Sequence, residues 1–206
     1  MVAHRFRVRS DDDETTYWFE TAPDRWPARQ VSFAGADRLP VTAASLTELA
    51  QTREEFGLLG VQLYEAVYGV LAEGPVEEPP DAEPVTEEEF AHAWRQARWY
   101  RHCEAPPYDS GPLPAGTRMI GEIAPTPWPP GVTGLFVGLG LPFDGFIDLP
   151  WLPRAAADWP PVGTEVELEV TTLRFDFDEA AASLQIRLRP KAAPPPGEPW
   201  PRPVRP

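Results

Sequence analysis

From His4 to Val8 apolar and basic residues alternate: Phe6 and Val8 fall on one face, and Arg5, Arg7 and Arg9 on the other. A period of two is that of a half-buried β-strand. The charged turn Asp11-Asp12-Asp13 leads to a second β-prone run, Thr15 to Thr21, and the two are expected to pair as a hairpin. Val31 and Phe33 share one face of a third run, Arg29 to Phe33, so the chain opens on a small antiparallel meander.

The period then lengthens. Ser45 and Glu48 have capping-box spacing, which predicts a helix from Leu46 to Phe56 ended near Gly57. Val61, Tyr64, Val67 and Tyr68 recur at helical spacing and predict a second helix over Leu59 to Leu71. Its β-branched and aromatic residues leave a strand as the competing assignment. Gly74 to Pro84 has the composition of a solvated loop. Thr86 with Glu89 repeats the capping box and starts a helix over Glu87 to His102, with Phe90, Trp94 and Ala97 on the face that packs on the meander. His4, among the strand arginines, has no evident partner in the pattern.

Alternation returns after the proline-rich stretch Ala105 to Ala115. Met119 to Ile123, Gly134 to Leu139 and Gly145 to Leu149 read as three strands. Val166 to Leu173 sets Val166, Leu168 and Val170 against Glu165, Glu167 and Glu169, and Leu184 to Leu188 sets Leu184, Ile186 and Leu188 against Gln185 and Arg187. Five strands with a long connection before the fourth fit a small Greek-key barrel. The proline-dense end, Lys191 to Pro206, is expected to be disordered or extended as polyproline II.

These strands carry the ordered pieces Gly116, Gly121-Glu122-Ile123, Gly134-Leu135-Phe136-Val137, Asp144-Gly145-Phe146-Ile147, Leu152, Val162-Gly163 and Gln185-Ile186-Arg187-Leu188. In that order and spacing the segment resembles the S1 subtype of the OB fold. The resemblance implies single-stranded RNA binding on the face of the second and third strands, by stacked aromatics and nearby basic groups. It places Phe136, Phe146, Arg187 and Arg189 as nucleic-acid contacts. The sequence departs from the pattern at Thr133 (usually aromatic), Asp148 (commonly histidine), Pro150 (serine) and the three outward glutamates of the fourth strand (often lysines). The first half resembles, through Pro84 to Ala97, small actinobacterial domains, some of which accompany toxin genes as immunity-like proteins. The expected organisation is an α+β domain (1–103), a linker (104–115), an all-β five-stranded OB/S1-like barrel (116–190) and a disordered tail (191–206).

Charge changes the functional expectation. A formal net charge of −14 repels phosphate backbones, and within the barrel stretch acids outnumber arginines about two to one. An apolar fraction of 42% excludes wholesale disorder. Cys103 is the only cysteine, which fits a reducing cytosol. The N-terminal residues lack a signal-peptide core, and the longest apolar run, Val132 to Phe143, is too short to span a bilayer, so a cytoplasmic location without membrane attachment is expected.

No reaction or cofactor is implied. Glu89-x-x-His92 has di-iron ligand spacing, but such a site needs a second copy and further glutamates, so a surface helix with a capping glutamate accounts for it. His102 beside Cys103 points about 100° away on a helix, poor geometry for a nucleophile and its base. Asp144, Asp148, Asp176, Asp178 and Glu179 lack a calcium-loop pattern and read as turn and solvent groups. Trp128, Trp151 and Trp159 lie in proline-rich connections, where they form a recognition surface or plug the barrel ends or the interdomain seam. The expectation is a noncatalytic binding protein whose surface of Trp128, Trp151, Trp159, Glu165, Glu167 and Glu169 meets a protein partner, a basic one on charge grounds. The alternatives are single-stranded nucleic acid on the barrel and immunity-like neutralisation of a basic toxin.

Overall fold

A computed structural model describes residues 3–10, 12, 14–104, 108–178 and 181–204. It is an α+β protein with two five-stranded sheets and few helices. The chain separates into one unit of Met1–Pro106 with Phe177–Ala182, and a second of Pro107–Asp176 with Ser183–Pro206.

The alternation at the start forms β1 (His4–Ser10), β2 (Thr15–Thr21) and β3 (Pro27–Ala34), joined by an unanticipated β4 (Leu39–Ser45). Pro40, Ala43 and Ala44 hide β4 from a propensity reading, but it lies at the sheet edge, where a missing N–H is tolerated. Register aligns Arg7, Trp18, Val31 and Ala43 across the four strands, and Phe6, Phe19, Gln30 and Ala44 in the neighbouring row on the opposite face. The segment read as a solvated loop adds a short β5 (Glu83–Pro84) beside β1, where Arg7 pairs with Glu83. His4 also finds a partner there, with Nε2 2.8 Å from Glu78.

α1 spans Leu46–Tyr68 and bends at Gly57, whose φ of 63° and ψ of −156° interrupt two helical segments. This is the break expected between two helices, and it settles the 59–71 ambiguity for helix as far as Tyr68. Gly69, with φ 79°, ends it. The Ser45–Glu48 capping box does not form. Ser45 closes β4, its N–H donates to the Tyr64 hydroxyl at 2.8 Å, and that hydroxyl donates to Glu48 at 2.6 Å. Glu48 also accepts from Arg98 at 2.9 Å, and the Arg98 guanidinium lies 3.6 Å from the Tyr68 ring centre. Tertiary pairing has outcompeted the local cap.

The second capping box does form. The Glu89 N–H donates to Thr86 Oγ1 at 3.2 Å and the Thr86 N–H donates to the Glu89 carboxylate at 2.9 Å, starting α2 (Glu87–Trp99). The backbone and side-chain bonds from Thr86 hold the Glu89 carboxyl below its ordinary value. Beyond Trp99 the helix widens into a π-turn over Tyr100–Glu104, where Cys103 is exposed. Phe90, Ala93 and Ala97 of α2 pack on Trp18, Val31, Phe33 and Ala43, with Trp94 against the cluster, as the sequence pattern anticipates. Phe90 is fully covered, a burial that contributes roughly 1.5–3 kcal/mol for a side chain of this size. Beside it, Glu20 joins two strands: it accepts from Arg5 at 2.6 Å and from Arg29 at 2.8 and 2.9 Å.

In the second unit β6 (Arg118–Ile123), β7 (Leu135–Gly138), β8 (Asp144–Ile147), β9 (Glu165–Phe177) and β10 (Ala182–Pro190) close into a barrel in the order β10-β8-β7-β6-β9. β8 and β10 run parallel, while β6–β7, β7–β8 and β6–β9 are antiparallel. Ile123, Val137, Ile147, Leu168, Ile186 and Leu188 are almost wholly buried and fill the interior. The segment read as a disordered or polyproline II tail carries no helix or strand among its described residues but is tied down. Trp200 Nε1 donates to the Asp158 carbonyl at 2.9 Å, the Gly197 N–H to its carboxylate at 3.0 Å, and Lys191 Nζ to Glu167 at 2.7 Å. Composition could not show this, because the acceptors lie far back in the chain.

The Glu20 bridge makes a measurable contribution. Burial alone would raise its carboxyl, but hydrogen bonds from Arg29 and Arg5, with their charges, outweigh this and hold it below its ordinary 4.5. A depressed folded value means stability is fully present above the unfolded value and is lost as pH falls through the folded one. Glu20→Gln is expected to cost about 2 kcal/mol at neutral pH by leaving two arginines short of a charged acceptor. Urea unfolding from pH 7 downward should show the difference from the parent closing below 4.5; a gap that stays constant to pH 2 contradicts the account.

Candidate functional site

Three cross-strand neighbours build the barrel's most distinctive outer surface. Phe136 of β7 stands opposite Phe146 of β8, and Phe146 in turn opposite Arg187 of β10. Their inward neighbours Leu135, Ile147 and Leu188 lie in the core, so the pleat turns this row outward. The Phe136 and Phe146 rings meet edge to face with centroids 5.2 Å apart, and the Arg187 guanidinium lies 4.7 Å from the centre of the Phe146 ring. Phe146 is thereby covered to 7% exposure, whereas Phe136 stays half-exposed.

The connection between β6 and β7 extends the row. Trp128 lies 5.5 Å from Phe136, centre to centre, and its indole N–H donates to the Gly134 carbonyl at 3.3 Å. Thr126 Oγ1 donates to the Trp128 carbonyl at 2.9 Å, bracing the same turn. Trp128, Phe136, Phe146 and Arg187 therefore form a continuous strip. At its far end Arg187 donates to Asp148 at 2.6 Å. Burial pulls the Arg187 guanidinium below its usual value, and the Asp148 carboxylate pulls it back.

Gly134 makes this approach feasible. A Cβ there would sit 1.9 Å from the Ile147 carbonyl oxygen and 2.6 Å from the Phe146 ring. No side chain fits, so the start of β7 lies directly on β8.

The sequence-predicted residues distribute as follows. Phe136, Phe146 and Arg187 come together. Arg189 turns to other partners: it pairs with Glu169 at 2.5 Å and its guanidinium lies 5.7 Å from the centre of the Trp151 ring. Trp128, assigned to a protein-binding surface, joins the aromatic strip instead. Trp151 is 46% exposed. Trp159 leaves the predicted surface altogether: it is 7% exposed and its indole N–H donates to the Pro153 carbonyl at 2.7 Å, the plugging role. Glu165, Glu167 and Glu169 point outward on β9, but Glu167 meets Lys191 and Glu169 meets Arg189. The acidic edge is thus partly neutralised within the barrel.

Charge is unevenly shared. The second unit contains ten acidic and eight basic residues, a balance of −2, so −12 of the total belongs to the first unit. Among the described residues no group of three His, Cys, Asp or Glu is placed to hold a metal ion, and no helix is long and apolar enough to cross a membrane. Glu179 lies outside the described residues. Trp128 and Asp148 are the partners that sequence reasoning missed. Trp128 reaches the strip through an irregular turn, and Asp148 meets Arg187 through the parallel β8–β10 pairing, neither of which leaves a local period.

Compared with protein-family models and with curated proteins, the chain matches none. One solved structure, described as a multidomain protein with nucleic acid binding domains from Streptococcus pneumoniae TIGR4, aligns over 92% of this chain and 52% of its own, at 14% identity and a TM-score of 0.26. The chain spans about half of that structure's length, and a likeness this slight carries no argument.

Gly134→Ala is expected to part β7 from β8 and destabilise the barrel by about 2 kcal/mol or more, the scale of an overpacked contact that cannot relax. Gly138→Ala is the control: a Cβ there meets nothing nearer than the Glu122 carbonyl at 3.8 Å. Thermal unfolding should show the first variant well below the parent and the second close to it; equal midpoints would contradict the close-approach argument.

Proposed function

We propose that the barrel is an OB-type domain of the S1 subtype, and that it binds single-stranded nucleic acid, RNA foremost, on the strip formed by Trp128, Phe136, Phe146 and Arg187. The supporting observation is the unbroken run of three aromatic rings and a guanidinium across β7, β8 and the preceding turn. The strand order, with the last strand parallel to the third, supports the OB reading, and the second and third strands of such a barrel form the usual oligonucleotide face. Bases stack on aromatic side chains with little regard to sequence, at roughly 1–3 kcal/mol per base.

Trp128 and Phe136, the half-exposed members, take the bases. Phe146 and Arg187 form the floor beneath them. The barrel's near-neutral balance removes most of the electrostatic objection raised by the whole-chain charge. Arg187, the cation within the strip, is already engaged by Asp148. The mode is therefore stacking-dominated, with a shallow dependence on salt.

A second reading concerns the first unit. Its balance of −12 favours association with a basic protein, immunity-like toxin neutralisation included. Exposed Trp151 and Glu165 supply a smaller protein-facing patch on the barrel.

Fluorescence anisotropy with a labelled single-stranded RNA across a salt series separates the readings. Binding is expected, with a slope of log affinity on log salt of about −0.7 to −1.4, as one or two phosphate contacts to a single strand give. Joint replacement Trp128→Ala with Phe136→Ala should weaken it by about tenfold or more. Absence of binding at tens of micromolar protein, or unchanged binding by the double variant, would sink the nucleic-acid reading.

A further inference from the structure

The first unit has its own concave site, separate from the barrel strip. Two cavities, of about 620 and 590 Å³, share Arg7 and Arg38 in their walls. Volumes of this size suit a small molecule. The larger is lined by Arg9, Thr16, Gly35 and Glu14, and the smaller reaches Trp18, Phe33 and Arg95.

What sets this groove apart is its cations. Of the ten arginines in this unit, Arg5, Arg7, Arg29 and Arg98 are each paired with a glutamate. Arg9, Arg38 and Arg95 have no ion pair among the described residues, yet all three converge on the groove walls. Arg38 is held in place by its backbone, with φ at 51°, and by its guanidinium lying 5.2 Å from the Phe33 ring centre. The wall of the smaller cavity also includes a residue with an unpartnered donor. Trp18 is 6% exposed and lines the smaller cavity, and its indole N–H has no hydrogen-bond partner among the described residues. A buried unsatisfied N–H costs about 1–3 kcal/mol, which an incoming acceptor would offset.

We infer that this groove binds a small polyanion, a molecule bearing two or more carboxylate or phosphate groups. Arg9 and Arg38 clasp the charged groups, and the Trp18 N–H receives one acceptor oxygen. Guanidinium forks suit both oxyanion types, so the shared chemistry is the charge and the paired oxygens. Two lining carboxylates are already occupied: Glu83 holds Arg7, and Glu89 belongs to the capping box of α2. Glu14 and Asp81 also line the groove, and Glu88 the smaller cavity; they oppose the ligand and set its affinity low.

Isothermal titration calorimetry of the full chain with pyrophosphate, and separately with citrate, tests this. Binding of either supports the site and tells which oxyanion it prefers. The combination Arg9→Gln with Arg38→Asn, the asparagine chosen because it tolerates a positive φ, should weaken binding by about tenfold or more. Trp18→Phe, which keeps an aromatic ring but removes the indole N–H, should weaken it by roughly threefold or more in a variant whose circular dichroism matches the parent. Glu14→Gln with Asp81→Asn should tighten it severalfold, an arm that a folding defect cannot mimic. No heat with either anion up to about 10 mM, an affinity weaker than the millimolar scale of about −4 kcal/mol, overturns the inference. So does unchanged binding by the arginine variant in a circular-dichroism-verified fold, or weaker binding by the carboxylate variant.

Discussion

The close pairing of β7 with β8 is the constraint on which the barrel face depends. Gly134 has no room for a Cβ against the Ile147 carbonyl, so the two strands approach at van der Waals distance where β7 begins. That approach puts Phe136 opposite Phe146 and lets the Trp128 indole reach the Gly134 carbonyl. The parallel strand β10 then delivers Arg187 beside Phe146. Phe136, Phe146 and Arg187 are placed by backbone register, and Trp128 by its turn and its hydrogen bond to Gly134. A surface built this way is preorganised, so a ligand need not supply the entropy of ordering it.

Electrostatics divides the molecule along the same line as its two units. The barrel is close to neutral and spends its arginines on its own carboxylates, Arg187 on Asp148 and Arg189 on Glu169. The first unit carries nearly all of the excess acid, yet Arg9, Arg38 and Arg95, without an ion pair among the described residues, line one groove. Net charge for the whole chain averages these two situations. It describes the likelihood of long-range encounter with a polyanion such as RNA, and says little about what happens at either surface.

The fold was legible wherever one period ran uninterrupted. β1, β2, α2 and all five barrel strands follow from alternation or helical spacing, and the Thr86–Glu89 cap from four residues. β4 was not, because Pro40, Ala43 and Ala44 are poor strand formers and only edge position and burial make them one. The Ser45–Glu48 motif misled because Tyr64 and Arg98, distant in sequence, claim Glu48. At the candidate site Phe136, Phe146 and Arg187 were named from the family resemblance. Trp128 packs against Phe136, and Trp159, assigned to a surface, is buried, since a tryptophan among prolines looks the same in sequence whether it faces solvent or fills a barrel end.

The account turns on contact between nucleic-acid bases and one strip of the barrel. Photo-crosslinking with a 4-thiouridine-substituted single-stranded RNA, followed by tryptic mass spectrometry, reads that contact directly. Trypsin releases Met119 to Arg154 as one peptide holding Trp128, Phe136 and Phe146. Crosslinks concentrated at Trp128 and Phe136 within that peptide are the result expected. Crosslinks confined to peptides of the first unit, or none above a bovine albumin control, would contradict it.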